Sequence, residues 1–348
     1  MRLPLPRGQA SADVLSLLVR PVDDAEVALV QANGSVQAAL AATDDVVRDD
    51  DLQLTLFCLN ALHYGGLAGV SDRWEWHPEL RSITAPLEAV FEQTVRDRVP
   101  VPERPTARTP DEVAGALFEL VAQDTSPGLS RYVASKATRE QLVELLVLRS
   151  LYVLREADPH SWAIPRLTGG PKVALVEIQN DEYGAGRPER MHSRLFADTM
   201  RGAGLDDTYG AYVDRVPAVA LASLNLMTLF GLHRRLRGAI VGHLAAFEMT
   251  SSQPSRSYGN GFRRLGWGEL ADYFDEHIEA DAVHEQIAAR ELAGGLVQQE
   301  PELLDEVLFG AAAALTMDSW VSAPVLLAWK QGESPLRRPL GSDALATR

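Results

Sequence analysis

The segment Glu276–Glu291, EHIEADAVHEQIAARE, constrains what this chain can fold into and bind more than any other stretch. It places His277, Asp281 and His284 at positions i, i+4 and i+7. At about 100° per residue of α-helix, these three side chains fall within a sector of roughly 60°. Phe274 continues the same face, so two imidazoles and a carboxylate are directed at the protein interior. Burying such groups without partners is costly, and a bound metal ion would remove that cost. A helix whose histidines merely lie along its apolar edge is the alternative, and we favour the metal site because further inward-facing acids occur elsewhere.

Composition limits the classes of protein to which the chain can belong. Its 348 residues are 46% hydrophobic, which is enough for a sizeable core, and its formal net charge of -15 argues against binding to nucleic acid or an anionic membrane. The single cysteine, Cys58, excludes an internal disulfide and a cysteine-based zinc cluster. Prolines interrupt the short apolar run at the N-terminus, and no later segment is predicted to span a membrane. We therefore expect a cytoplasmic protein.

The hydrophobic pattern is helical along most of the chain, and no series of strands is predicted. Residues 1–50 are weakly periodic and are expected to form a loosely ordered arm. The proline-rich run VPVPERPTARTP is the clearest linker, with a helix start at Thr109 and Pro110. We predict an all-α protein with three parts: an N-terminal helical extension or arm (1–105), a helical bundle (106–330) and a flexible C-terminal tail (331–348).

Helical bundles build metal sites from side chains that face one another across several helices. Four further side chains lie on inward faces in the predicted helices: Glu182, His192, Glu248 and Glu156. Glu248 is flanked by apolar residues, where a carboxylate is rarely tolerated alone. Glu156 lies near the end of its predicted helix, and a partly exposed terminal residue is the alternative interpretation there.

These residues form a set of four carboxylates and three imidazoles, which is enough to hold two metal ions with carboxylates bridging them. Mixed oxygen and nitrogen ligands suit iron, with manganese as a substitute. Zinc-dependent hydrolysis is the competing chemistry, but the set is large and rich in carboxylates for a three-ligand zinc site. Glu189, three residues before His192, is a rival ligand that we expect instead to be a solvated residue at a helix start.

The segments DEYGAGRPERMHSRLF, HLAAFEMTS and EHIEADAVHEQ together resemble the haem-oxygenase-like di-iron oxidases, whose members are also described as iron-containing redox enzymes. The similarity runs from about residue 130 to 292. Its most specific part is the H-x3-D-x2-H pattern, preceded by a lone glutamate, here Glu248, and by a Glu-x9-His pair, here Glu182 and His192. Members that hydroxylate nitrogen are similar in having an extra carboxylate before this pair, and Glu156 occupies the corresponding place. The resemblance implies a haem-oxygenase-like bundle that binds two irons, without haem, and activates O2.

The resemblance leaves the substrate open, because similar bundles oxidise amines, cleave carbon–carbon bonds in amino acids or decarboxylate fatty acids. We expect an O2-dependent oxidase acting on a small amine- or amino-acid-like metabolite, with N-oxygenation first and oxidative C–C cleavage or decarboxylation second. Arg256 and Tyr258, in a Ser/Gly-rich segment expected to form a mobile cover, are the candidates for substrate binding. An external reductant and a homodimer are also expected.

Two other classes remain as alternatives. A non-catalytic metal-binding bundle would use the same ligands but would have no substrate cavity. A thiaminase-like hydrolase on the same bundle would need a nucleophilic cysteine in its pocket, and Cys58 lies outside the motif-bearing part of the chain.

Overall fold

The protein is helical throughout its described parts. The computed structural model describes residues 1–106, 108–125 and 127–341, with the side chains of 279–282 excluded. The chain is 72% helical, and no strand occurs in the residues described, which confirms the predicted all-α class. Two compact units can be distinguished, each made of several segments: Met1–Arg98, Thr208–Thr228 and Leu336–Arg338 in the first, and Val99–Asp207, Leu229–Pro335 and Pro339–Arg348 in the second. The sequence-based division at residues 105 and 330 stays a prediction about domains.

The first unit contains four helices from the N-terminal part of the chain and most of a fifth. Their bounds are α1 Gln9–Leu18, α2 Glu26–Ala42, α3 Asp50–Ala61 and α4 Pro78–Arg98, followed after a long interval by α11 Ala218–Leu232. Asp49, just before α3, has a structural role, because its side chain accepts hydrogen bonds from the backbone N–H groups of Asp51 and Leu52. It is therefore the N-cap of α3.

The expectation of a loosely ordered arm at residues 1–50 is wrong. Helix α1 buries Val14 and Leu17 completely, and the Arg7 guanidinium just before it donates hydrogen bonds to the carbonyl oxygens of Val213 and Val216. These long-range contacts order a segment whose own hydrophobic periodicity is weak. Tertiary packing therefore supplies the order that local sequence does not indicate.

The second unit contains the remaining helices. Their bounds are α5 Pro110–Ala122, α6 Leu129–Ser135, α7 Arg139–Val153, α8 Asp158–Ser161, α9 Gly169–Glu182, α10 His192–Gly202, α12 Arg237–Arg264, α13 Asp272–Gln286, α14 Gly295–Gln299 and α15 Leu304–Gln331. Thr109 caps α5 by accepting from the Glu112 N–H, with Pro110 at the first helical position as predicted. A π-helix over Ile287–Gly294 joins α13 to α14.

Helices α12 and α15 approach each other at two glycines. A Cβ atom placed on Gly242 would lie 1.9 Å from the Val307 carbonyl oxygen, and one on Gly310 would lie 2.0 Å from the Ala239 carbonyl oxygen. Only glycine permits backbones to come this close. The contact fixes the position of the α12 segment that carries Glu248 six residues later.

Helix α12 is longer than the sequence indicates and corrects a second expectation. The Ser/Gly-rich segment after Glu248 was expected to be a mobile cover, but α12 continues through Pro254 to Arg264. Tyr258 and Phe262 are buried along this part of the helix. Their packing outweighs the weak helix propensity of the serines, the glycines and the proline.

The run Pro301–Gln331 is long and apolar enough, by length and composition, to cross a membrane, although the sequence was expected to contain no such segment. Inside the protein, 44% of its most apolar window is buried. Core helices pass the same test, so this feature assigns no location to the protein.

Candidate metal centre

Six of the seven predicted ligands meet in the second unit as two groups. In each group the ligand atoms lie within 4.8 Å of one another: Glu156, His192 and His277 form the first triad, and Glu182, Glu248 and His284 form the second triad. The side chain of Asp281, the seventh predicted ligand, lies outside the described residues. All six side chains are buried or nearly so.

The triads are assembled from five parts of the chain. Three ligands lie at or just beyond helix ends, and three lie within helices: Glu156 follows α7, Glu182 ends α9, His192 begins α10, Glu248 lies in α12, and His277 and His284 lie in α13. The histidines of α13 are separated by about two turns of helix, so one reaches each triad. The i, i+7 spacing therefore places His277 in the first triad and His284 in the second, rather than both in one site.

Three buried ligand atoms have no hydrogen-bond partner. Glu182 Oε2 and His192 Nδ1 lie 2.9 Å apart without hydrogen-bond geometry, and His284 Nδ1 lies 3.5 Å from Glu248 Oε2. Buried polar atoms in folded proteins are nearly always paired, because an unpaired one costs about 1–3 kcal/mol. These unpaired atoms belong to residues of the two triads, where bound cations would supply the missing partners. A donor set of carboxylate oxygens and imidazole nitrogens fits iron, manganese or zinc.

Hydrogen bonds orient two of the imidazoles. His277 Nδ1 lies 2.9 Å from the Tyr273 carbonyl oxygen and so donates its proton there, which leaves Nε2 facing Glu156. His284 Nε2 lies 3.0 Å from Asp181 Oδ2 and donates to it, which leaves Nδ1 facing the second triad. Partners of this kind fix the tautomer and ring orientation of histidine ligands.

Glu156 is also held from outside the first triad. The Tyr273 hydroxyl donates to this carboxylate, with 3.1 Å to each of its oxygens. Burial, and then the adjacent Glu156, raise the pKa of Tyr273 well above its usual value, so the phenol keeps the proton that it donates. Glu156 is therefore a positioned buried carboxylate and not a solvated residue at a helix end.

The charges in the two triads are coupled. Burial opposes ionisation of Glu156, but the neighbouring His277 and His192 outweigh it and lower the pKa of Glu156 to about 2. Burial likewise disfavours a charged His284, but Glu248 and Asp181 outweigh it and raise the pKa of His284 to about 9. The pKa of His192 is raised against burial by Glu182. In the metal-free protein, the positive charge of protonated imidazoles therefore balances the negative charge of the ionised carboxylates, which are the groups that would bind a metal.

Three other candidates from the sequence belong to neither triad. Glu189 and Arg256 are exposed, whereas Tyr258 is buried. Asp181 and Tyr273 were not anticipated as partners of the ligands. Each lies within four residues of a predicted ligand along the chain, and this proximity is the only signal that the sequence offers for them.

Comparison with known proteins adds three relationships. The chain is 25% identical over 209 residues to a nitrosourea synthase of Streptomyces achromogenes subsp. streptozoticus, an alignment that covers 59% of this chain and 44% of that protein. The chain thus spans less than half the length of this relative. Two crystal structures of a CADD-like protein of unknown function from Nostoc punctiforme PCC 73102 are also similar. One has 17% identity and a TM-score of 0.50 over 64% of this chain and 97% of that chain, and the other has 19% identity and a TM-score of 0.49 over 61% and 95%.

A family described as iron-containing redox enzymes matches residues 143–319, which is just over half of the chain. This range contains all six residues of the two triads. It confirms the resemblance drawn from the three sequence segments and agrees with the haem-oxygenase-like fold expected from them. By this match, the chain belongs to the family of iron-containing redox enzymes.

Proposed function

We propose that the protein is an O2-dependent di-iron oxygenase that oxidises a nitrogen atom of a small amine- or amino-acid-like metabolite. The first triad would hold one iron and the second triad the other, with Glu182 beside both. Ferrous iron held by these groups would supply electrons for the reduction of dioxygen. The observation that carries the proposal is the pair of triads, in which Glu182 Oε2, His192 Nδ1 and His284 Nδ1 are buried without hydrogen-bond partners.

The protein's own residues would prepare the site in three ways. Tyr273 holds the Glu156 carboxylate in place, and Asp181 holds the His284 ring. The Tyr273 ring, whose hydroxyl donates to Glu156, is buried and packs edge to face against the buried Phe196 ring at 5.1 Å between centroids, and this apolar packing would limit the access of bulk water to the first triad. Positioned ligands and restricted access of water both suit a site that must reduce oxygen without leaking reactive products.

Two observations favour oxidation of nitrogen over the other reactions expected for such bundles. The partly related nitrosourea synthase is named for a product that contains a nitrogen–nitrogen bond to an oxidised nitrogen. Glu156, the extra carboxylate that the resemblance associates with N-hydroxylating members, lies in the first triad with two histidines. Oxidative C–C cleavage or decarboxylation remains the second expectation for the same centre.

The test is anaerobic reconstitution with ferrous iron, followed by measurement of iron content and of oxygen consumption with a panel of primary amines and amino acids. We expect close to two irons per chain, oxygen uptake that depends on one of the candidates, and a hydroxylamine or more oxidised nitrogen in the product by mass spectrometry. One iron or none per chain would reject the di-iron assignment. Oxygen uptake with loss of carbon dioxide and no change at nitrogen would favour the second reaction.

A hydrolytic zinc enzyme is the second candidate, because the first triad consists of two histidines and one glutamate, as in some catalytic zinc sites. This candidate needs one metal and no oxygen. Zinc-loaded protein that turns over a substrate anaerobically would support it. Activity found only with ferrous iron and oxygen would eliminate it.

A further inference from the structure

Glu156 reaches the first triad from a turn rather than from a helix. Helix α7 ends at Val153 and α8 begins at Asp158, so the regular hydrogen bonds of neither helix fix the Glu156 backbone. The Glu156 N–H lies 3.4 Å from the Val153 carbonyl oxygen, which is long for a hydrogen bond. Residues 156–161, here called the α8 turn, therefore depend on contacts with other helices for their position.

Gln179 of α9 holds the α8 turn from one side. Its buried side-chain nitrogen donates to the Ala157 carbonyl oxygen at 2.9 Å and to Ser161 Oγ at 3.0 Å. A carbonyl oxygen can only accept, so the amide nitrogen must face Ala157, and both of its N–H groups are used. Ala157 directly follows Glu156, and Gln179 lies three residues before Glu182. This contact therefore links the turn that carries one ligand to the helix that carries another.

His243 of α12 holds the α8 turn from another side. Its Nδ1 lies 3.2 Å from His160 Nε2, and both rings are buried. Burial lowers the pKa of both imidazoles, that of His160 to about 4, so both rings are neutral and one donates a proton to the other. The Phe247 ring packs against this pair, at 4.2 Å between its centroid and that of His243. Because His243 lies five residues before Glu248, the pair links the turn to a helix that carries a ligand of the second triad.

The polar character of these contacts indicates that they fix a position rather than fill space. Burying two imidazoles and an amide is costly, and aliphatic side chains could occupy the same volume at a lower cost. Buried hydrogen-bond networks specify one arrangement, whereas apolar packing tolerates small shifts. The end of α11 also closes on the turn, because a Cβ on Gly231 would lie 2.6 Å from the Pro159 carbonyl oxygen. Contacts from three helices thus converge on the residues that directly follow Glu156.

We propose that Gln179 and His243, the latter through His160, are positioning residues that set Glu156 against the second triad. Their hydrogen bonds tie the α8 turn to α9 and α12, and these helices carry the two carboxylates of the second triad. The relative position of ligands from the two triads is thereby set by side chains that belong to neither. This assignment rests on the metal centre of the proposed function and adds residues that act on it through the backbone.

The test uses cobalt(II), whose visible absorption reports both its binding and its number of ligands. Metal-free protein is titrated in two parent variants: His284→Ala keeps the first triad complete, and His192→Ala keeps the second complete. His243→Leu and Gln179→Met remove the hydrogen bonds while keeping a side chain of similar size. In the first parent each should weaken cobalt binding by about tenfold or more and alter the spectrum. In the second parent each should change the affinity by less than about threefold.

A conservative variant and a control separate positioning from general stability. His243→Asn places an amide where Nδ1 lies, so it should restore most of the affinity that His243→Leu loses. Trp329→Phe is the matched control, because it removes another buried hydrogen bond to α7, the one that Trp329 Nε1 donates to Glu144 at 2.7 Å. It should change cobalt affinity by less than about threefold in both parents. A loss in Trp329→Phe as large as that in His243→Leu, or equal losses in both parents, would overturn the proposal.

Circular dichroism establishes that each variant is folded. If His243→Leu does not fold, Gln179→Met decides the question, because Gln179 lies on a different helix and reaches the turn independently. An unchanged affinity of the first triad in folded Gln179→Met would overturn the proposal. Failure of the unmodified protein to bind two metal ions would instead defeat the proposed function. Normal binding of two metal ions, with no selective loss in the variants, would defeat this inference alone.

Discussion

His192 Nδ1 and Glu182 Oε2 lie 2.9 Å apart, and this contact joins the two triads. Nine residues separate the two in sequence, and the chain between them leaves α9, turns at Gly184 and Gly186, and enters α10. This short connection therefore brings a ligand of the second triad, Glu182, against a ligand of the first, His192.

Gly184→Ala should disturb the metal centre more than Gly186→Ala. Both glycines have φ of +80°, but a Cβ on Gly184 would lie 2.3 Å from the Arg187 carbonyl oxygen, whereas a Cβ on Gly186 meets nothing within 4 Å. Both variants suffer backbone strain of about 1 kcal/mol, and only Gly184→Ala must also move the loop that leads to His192. Iron content by metal analysis should fall in Gly184→Ala and stay near the unmodified value in Gly186→Ala. Equal iron loss in both would show that strain alone is responsible.

Glu182→Gln should lower iron content from about two per chain toward one, because Glu182 belongs to the second triad and also faces His192 of the first. Glu177→Gln is the matched control on the same helix, where the side chain is exposed. Its iron content and melting temperature should not change, since exposed substitutions usually alter stability by less than about 0.5 kcal/mol. If both variants retain two irons, Glu182 is not a ligand.

Asp181→Asn tests a residue that would affect metal binding only through the His284 ring that it orients. The neutral amide keeps the size of the side chain but weakens the hydrogen bond that orients His284. Partners of histidine ligands typically contribute a factor of about 10–100 to metal affinity. We therefore expect weaker binding of one metal ion by roughly that factor, measured by competition with a chelator, and an unchanged circular dichroism spectrum. An unchanged metal affinity would show that Asp181 does not contribute to metal binding.

Gly242→Ala tests the helix crossing that carries Glu248. The added methyl would overlap the Val307 carbonyl oxygen, so α12 and α15 must separate. Overpacking of this kind typically costs about 1–3 kcal/mol. Gly115→Ala, on α5 with nothing within 4 Å of its added Cβ, should be neutral or slightly stabilising, because alanine favours helix. Urea unfolding of the metal-free variants would measure both effects, and similar unfolding midpoints would show that the crossing adjusts without cost.

Helical periodicity reports which side chains point inward. The sequence could therefore predict that His277 and His284 of α13 are buried, and that Glu182 and Glu248 point inward on other helices. It could not reveal that His277 and His284 reach different triads, since that depends on where α7, α9, α10 and α12 deliver their carboxylates and imidazole. Hydrophobic periodicity also failed to predict helical segments that long-range contacts stabilise, namely α1 and the part of α12 beyond Pro254. Hydrogen-bond partners such as Asp181 and Tyr273 follow from orientation across helices, which spacing along one helix does not specify.

Metal binding should release protons. As the pH rises, the stability of the metal-free protein should fall, whereas the affinity of the protein for metal should rise. In the metal-free protein the pKa of His284 is about 9, against about 6.5 for an unfolded histidine. A raised pKa contributes stability that is fully present below about pH 6.5 and is lost as the pH rises through about 9. A metal ion must displace this proton, so its affinity should rise by up to about tenfold per pH unit across the same window. The carboxyl of Glu156, with a pKa of about 2, is already ionised there and adds no competition.

Manganese suits the measurement, because ferrous iron oxidises readily at the upper end of this range. Calorimetric titrations between pH 6.5 and 8.5, each in two buffers of different ionisation enthalpy, would give both the affinity and the number of protons released. Thermal unfolding of the metal-free protein over the same range should show falling stability. Affinity that does not change with pH, with no proton released, would mean that the protonated His284 is not part of the metal site.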